Sequence, residues 1–308
     1  MAPGTPYITP DMLQREPVGI SWGSLVPRNA TTSQDLNAIL QDICQQATGL
    51  ADGYCNQVLR ATQNNETLRG PDFRLTIDNH SGEARAMMNR SPILQVVSVL
   101  IASAKTYPRT YTTIPPGYYE VEIPPIGVYG TSSPADSGEG GQSILIAPGF
   151  LNRQMGRNAY RVNITYINGW PHTSLTTRAA AGATSILVDD CTGWAPVTAG
   201  GQGAVGILYD GGLQEAVTVT AATATYGPGT LTIGSPLVFP HNPGVMLSTM
   251  PGQIRWATAL FAASMALTRG ATTTTIHTTG GGSSAGSPAP EQLSSEAELI
   301  LHPFRRGI

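Results

Sequence analysis

The sequence predicts an α+β chain. It consists of a helical core with a small antiparallel β region, an inserted all-β domain of sandwich or barrel type, and extended arms at both ends. Three observations predict this. Apolar residues recur at helical spacing from Leu36 to Leu59 and again from Ile254 to Leu267. Between these runs lie short segments that alternate apolar and polar residues, the period of a half-buried strand. From about Arg178 to Met250 the composition shifts to brief apolar runs separated by Gly-rich turns. The expected boundaries are an arm over 1–31, a core over 32–177 and 250–270, an inserted β domain over 178–249, and a linker with a C-terminal docking segment over 271–308.

The arm holds Pro3, Pro6, Pro10, Pro17 and Pro27 with little periodicity, so it reads as extended chain. The helix after it places Leu36, Ile39, Leu40, Ile43, Cys44, Ala47, Leu50, Ala51, Tyr54, Cys55, Val58 and Leu59 at i, i+3, i+4 spacing. Thr32 and Asp35 form a capping-box pair at its start. Gly49 and Gly53 interrupt it, each costing about 1 kcal/mol against Ala; they mark a bend, a close helix crossing, or simply a core helix. Strands are expected over 73–77, 83–89, 93–104, 119–123 and 162–166, with a turn at Asn79-His80-Ser81-Gly82 and an exposed loop over 124–142. In the insert, strands are expected over 186–188, 204–209, 215–220, 230–233 and 245–247. Pro251 opens a second helix, and Arg269-Gly270 closes it with a cation near the negative end of the dipole. Residues 271–290 are Thr, Gly, Ser and Pro with Ile276 among them, the composition of a flexible linker, and 291–301 is again helical.

Composition narrows the function. Charged residues are 12% of the 308, about half the ~25% of an average soluble domain. With Gly 35 and Pro 24, this turn-rich, uncharged composition fits a β-rich or extended structural protein better than a helical one. A net charge of −3 argues against a protein held to nucleic acid by many phosphate contacts. The start shows no signal-peptide pattern. The apolar runs 93–104 and 256–267 are shorter than the ~20 residues that cross a bilayer. Three sequons, at Asn29, Asn65 and Asn163, fall within what a Thr-rich chain contains by chance. Cys44, Cys55 and Cys191 form no CxxC pair; they read as small buried apolar residues with no metal or disulfide framework.

Catalytic motifs are sparse. Gly201 to Gly206 matches G-x-G-x-x-G, but no strand precedes it and no helix follows, so a Gly-rich hairpin is the reading. His80, His172, His241, His277 and His302 are scattered, none with a second His at ligand spacing. Asp189-Asp190 offers carboxylates to a cation, or caps a solvated turn. Glu120 and Glu122 share a strand face about 6–7 Å apart, a separation that paired glycosidase carboxylates also use. Arg153, Arg157 and Arg161 follow a helical spacing that suits an acidic partner or a solvated face. The terminal Phe304-Arg305-Arg306, carried behind the linker, is a docking peptide or a frayed tail.

Four segments in order carry a resemblance: the helix from Ser33-Gln34-Asp35-Leu36 to Tyr54-Cys55; the strand Val162-Asn163-Ile164-Thr165-Tyr166 running to Asn168-Gly169-Trp170-Pro171; the helix Pro251-Gly252-Gln253-Ile254-Arg255-Trp256-Ala257; and the ending Glu296-Ala297-Glu298-Leu299-Ile300-Leu301-His302-Pro303-Phe304-Arg305-Arg306. Together they resemble tailed-bacteriophage head–tail connector proteins, also called adaptor or head-completion proteins. In that family the strand leads almost directly to the second helix; here residues 172–250 lie between. The runs 181–190, 206–211, 215–219 and 239–245 resemble a small β domain of phage structural proteins.

The resemblance implies assembly and no catalysis. The protein would form a ring, usually a dodecamer, under the portal protein in the virion neck. It would extend the DNA channel and offer a docking platform to tail or neck proteins, the stopper or tail terminator. Genomic DNA would pass through the lumen without sequence-specific binding. No cofactor, metal or membrane is implied, and assembly would take place in the host cytoplasm. Leu293, Leu299, Ile300, Leu301, Phe304, Arg305 and Arg306 would form the portal- or partner-docking segment. Two other readings stay open: an enzyme or carbohydrate-binding β-protein with the insert as ligand module, where Glu120, Glu122 or Asp189 would matter, and a tail terminator or other neck component.

Overall fold

The computed structural model describes residues 4–15, 20–25, 33–69, 73–78, 80–103, 107–122, 143–151, 160–195, 204–273 and 289–306. Expectations for Asn29, Thr32, Asn79, the loop 124–142, Arg153, Arg157, Gly201 to Gly203, His277 and most of the linker 271–290 lie outside them. The chain divides into two compact units. One comprises Met1–Val58, Asp210–Gln214 and Pro251–Ile308; the other comprises Leu59–Tyr209 and Glu215–Met250.

The first unit is helical, with α1 (Pro10–Arg15), α2 (Ser33–Cys55), α3 (Gly252–Thr268) and α4 (Pro290–Leu301). A two-stranded pairing of β1 (Ile20–Ser21) with β16 (Thr272–Thr273) accompanies them. The face of α2 predicted from its periodicity is the buried one: Leu40, Ile43, Cys44, Ala47, Ala51 and Cys55 are all inaccessible. The helix stops at Cys55, short of Leu59, where Asn56 takes the left-handed conformation at φ 53, a backbone state Asn tolerates. Gly49 and Gly53 do not mark a close helix crossing; a methyl group at either would meet nothing within 4 Å. α3 buries Ile254, Ala257, Leu260, Phe261 and Ala263. The side chain of Arg269, just past its end, reaches Asp42 (3.1 Å) and Gln46 (2.8 Å) of α2.

The second unit is all-β. An eight-stranded sandwich pairs two antiparallel sheets. One has the order β2 (Thr62–Arg69), β9 (Tyr160–Asn168), β5 (Ile93–Ser103), β6 (Tyr111–Ile114). The other has the order β3 (Leu75–Ile77), β4 (Ala84–Met87), β8 (Ser143–Ile146), β7 (Tyr119–Glu122). Their inner faces share one core that includes Leu68, Ile101, Ile144, Ile146, Val162, Ile164 and Tyr166. The third sheet has six strands: β10 (His172–Ser174), β15 (Met246–Ser248), β12 (Val205–Tyr209), β13 (Glu215–Ala222), β14 (Gly229–Ile233), β11 (Ser185–Val188). Its first and last strands meet again through a Leu175–Val188 bridge and the bonds Thr176 N–H to Leu187 O and Asp189 N–H to Ser174 O. The sheet thus curls around its own core of Ile186, Trp194, Leu208, Val217, Val219, Leu231 and Leu247.

The α+β expectation is overturned. Fourteen strands in three antiparallel sheets dominate the described residues, and the four helices are the lesser part. Four strands add to the expected ones: β2, β6 and β8 make the sandwich larger than a small β region, and β10 joins the six-stranded sheet. Three of the four are short, and the eight residues of β2, Thr-Gln-Asn-Asn-Glu-Thr-Leu-Arg, contain only one aliphatic side chain. The extended arm is corrected too. Within 4–15, Tyr7, Ile8 and Leu13 are buried, and Tyr7 donates its N–H to Thr48 (3.0 Å) and its hydroxyl to Asp52 (2.5 Å). Residues 289–306 are likewise helical and not an extended arm.

Candidate functional site

The predicted docking segment is built by α4 and the turn after it. Pro290 stands at the first helical position, where its missing N–H costs nothing. The Gln292 side-chain oxygen accepts the N–H of Ala289 (3.2 Å), and Ser264 of α3 donates its hydroxyl to Pro290 O (2.8 Å). Leu293, Ala297 and Leu301 are four residues apart and form one buried stripe. The opposite side carries Glu296, Glu298 and Leu299, with Leu299 75% exposed.

The chain then folds onto the end of α2. A 3-10 turn, His302–Phe304, brings Phe304 O to the side-chain amide of Gln57 (3.2 Å). The N–H of Arg306 donates to Cys55 O (3.1 Å), satisfying a carbonyl that the end of α2 leaves without a helical partner. The Arg305 guanidinium lies 5.2 Å from the centre of the Tyr54 ring, a cation–π contact. Burial, assisted by nearby Asp52 and opposed by Arg305, pushes the Cys55 thiol up to about 12. Burial does the same to Cys44, also to about 12.

The seven predicted docking residues therefore separate. Leu293 and Leu301 belong to the core of their own unit. Arg306 caps α2 through its backbone. Leu299 and Arg305 are exposed, and Ile300 and Phe304 are half-buried beside them. The sequence signal that separates them is the four-residue spacing of Leu293, Ala297 and Leu301, which marks a packed face.

The carboxylates singled out for chemistry have structural partners. Glu122 accepts hydrogen bonds from Arg85 and Ser143, while Glu120 on the same strand is exposed. Asp189 accepts from the Thr173 hydroxyl (2.5 Å) and the Ser174 N–H (2.8 Å). Asp190 accepts from Thr192 N–H (2.9 Å), Thr192 hydroxyl (2.6 Å) and Gly227 N–H (3.1 Å). Asp189 thus holds the seam where the six-stranded sheet closes, and the Asp190 carboxylate ties the turn after β11 to the turn between β13 and β14. No cluster of three or more metal-ligating side chains occurs among the described residues.

Two histidine pairings are silent in the sequence, because the partners are remote along the chain. His172 Nδ1 lies 3.0 Å from Ser248 Oγ, both fully buried in paired strands, where Ser248 also accepts the Met250 N–H (3.1 Å). His241 Nε2 lies 2.7 Å from Glu215, which also accepts the N–H groups of Val238 (2.8 Å) and Phe239 (3.2 Å). Burial alone would raise the Glu215 carboxyl; the bonds from Val238, His241 and Phe239 overcome it and hold Glu215 below its ordinary value. Arg161 lies on β9 and has Arg69 of β2 directly opposite it. Among the described residues no helix is long and apolar enough to cross a membrane.

No family model, no curated protein and no solved structure matches this chain.

Proposed function

We propose that the chain is a virion structural protein, a head–tail adaptor. It assembles as a ring of identical copies, a dodecamer, under the portal, prolongs the DNA channel and presents a platform to tail or neck proteins. The observation that carries this reading is the composition of the helical unit. The three helical segments of the resemblance, near residues 33–55, 252–268 and 290–306, lie far apart in sequence and fold into that one unit. Segments that share a unit across some 200 intervening residues are parts of one design, and their order matches that of adaptor proteins. Function then lies in surfaces and not in a reaction. The portal-facing candidates are the residues of α4 and the turn after it that the unit leaves outside its core: Leu299, Ile300, Phe304 and Arg305.

The test is electron microscopy of the purified protein mixed with the portal ring of the same virus. A ring seated on the portal is the expected outcome and gives the copy number. A protein that stays monomeric and ignores the portal overturns the reading. Leu299→Asp refines the test, since it changes an exposed side chain and leaves the buried stripe intact. The variant is expected to melt at the wild-type temperature and to lose portal binding. Truncation of 291–308 is a poorer probe, because it also strips Leu293, Ala297 and Leu301 from the core.

A further inference from the structure

Arg69 and Arg161 stand directly opposite each other across β2 and β9. Residues directly paired in an antiparallel ladder project to the same face, so two guanidinium groups share one patch. Their row continues through Ala102 of β5 to Tyr111 of β6. The next rows on this outer face are Thr67, Asn163, Leu100 and Thr113, then Asn65, Thr165 and Ser98. Asn65 and Asn163 exchange amide hydrogen bonds of 2.9 and 2.8 Å. Each also donates to a neighbouring threonine, Asn65 to Thr165 (2.8 Å) and Asn163 to Thr67 (2.9 Å).

These rows hold no carboxylate, and among the described residues neither arginine forms an ion pair. The one acid of β2, Glu66, alternates to the other side, where it takes Arg74, the Tyr166 hydroxyl and the Asn89 N–H. Like charges directly opposite in a sheet are destabilising. A fold that keeps such a pair, in a chain of net charge −3, places it where an external anion can satisfy it.

We propose that this face of the sandwich lies against the phosphate backbone of DNA, with Arg69 and Arg161 each taking a phosphate. The proposal rests on the head–tail reading, in which DNA passes every copy. A phosphodiester backbone fits better than an acidic polypeptide. The face is a lattice of hydroxyl and amide groups, the side chains that together with Arg contact phosphate and sugar. Beside the arginine pair its apolar groups are half-buried Leu100 and the exposed Tyr111 ring at the end of the row, with no continuous apolar centre of the kind a protein interface uses. Two phosphate contacts per copy with no reader of base edges give weak, sequence-independent, salt-sensitive association. That is the contact a moving polymer requires.

The experiment uses the full chain and a fluorescein-labelled 20-base-pair duplex, followed by anisotropy from low to physiological salt. Three proteins are compared: wild type, Arg69→Gln/Arg161→Gln, and Arg69→Glu. Wild type is expected to bind at low salt. Both variants should bind at least tenfold more weakly, with the double variant's salt slope smaller by about 2 per copy. Both should also melt no lower than wild type, because each removes the like-charge pair. Unaltered binding in the variants, or no binding by wild type at low salt, overturns the proposal. So does displacement of the duplex by polyglutamate at equal charge concentration, which would assign the face to an acidic polypeptide. The same variants mixed with portal keep the two readings apart. Rings of wild type and variants together with unchanged DNA binding remove only this inference; absence of wild-type rings removes the adaptor reading itself.

Discussion

Gly169 shows how narrowly some positions are set. It sits at φ 94, donates its N–H to Pro92 O (2.8 Å), and precedes Trp170, which is fully buried and donates to Leu59 O (2.9 Å). A methyl group there would lie 2.5 Å from Arg60 O and 2.6 Å from Leu59 O. Gly169→Ala is therefore expected to cost at least about 2 kcal/mol through backbone strain and a clash with backbone atoms that have nowhere to move. Chemical denaturation read by tryptophan fluorescence measures it, and a loss under half that value would show that the turn relaxes. Glu215 makes a different residue-level prediction. Its folded value lies below its ordinary one, so its stabilisation is full above the unfolded value and is lost as pH falls through the folded one. The melting temperatures of wild type and Glu215→Gln should differ most near neutrality and converge as the medium is acidified below the ordinary carboxylate range. A gap of constant size from pH 7 to pH 3 would place the effect elsewhere. The part played by Glu215 is hidden in the sequence, since its partner loop lies more than twenty residues away. Gly169 is visible as part of the Asn168-Gly169-Trp170-Pro171 turn, though its steric enclosure is not.

At the scale of elements, the long periodic pieces are legible and the short polar ones are not. The spacing in α2 identifies its buried face, and the Val- and Ile-rich run from residue 93 gives β5 (Ile93–Ser103). β2 escapes because its partner supplies what its own sequence lacks. It pairs with β9 over eight unbroken positions, and tertiary pairing carries a strand that propensity alone would leave as coil. For the docking segment the helix is expected and the spacing of Leu293, Ala297 and Leu301 marks a packed face, but periodicity alone does not say that this face packs within the chain's own helical unit and not on a partner. The two glycines of α2 give a direct test of the element. Both are solvent-facing, with open space around any added methyl group, so Gly49→Ala and Gly53→Ala should each stabilise by about 1 kcal/mol. Thermal melts of the single and double variants check this, and a destabilised double variant would mean that α2 needs the freedom these positions provide.

For the whole molecule, the division into a helical and an all-β unit has a consequence for stability. Each unit has buried apolar residues of its own, and the sandwich and the curled sheet each close around a named cluster. The segment 59–250, expressed alone, is expected to fold as a β protein with a cooperative melt, assayed by circular dichroism and amide dispersion. A spectrum without dispersed amides would show that the β unit depends on the rest of the chain. The composition shift marks a β insert but places its start at residue 178. The sandwich strands before that point interleave with turns and polar rows, so composition alone gives no reason to join them to the six-stranded sheet.

The helical unit joins segments far apart in the chain: α2 begins at Ser33, α3 ends at Thr268, and Arg306 caps Cys55. A ribosome delivers α2 long before the helices that cover it. During synthesis α2 has only the N-terminal segment with Tyr7 and Leu13 to pack on and lacks α3 and α4 while some 200 residues are still being made, whereas every strand of the β unit has its partners before α3 appears. The order of emergence makes α2 the segment most in need of protection in the nascent chain, since Arg306, which caps Cys55, follows it by some 250 residues.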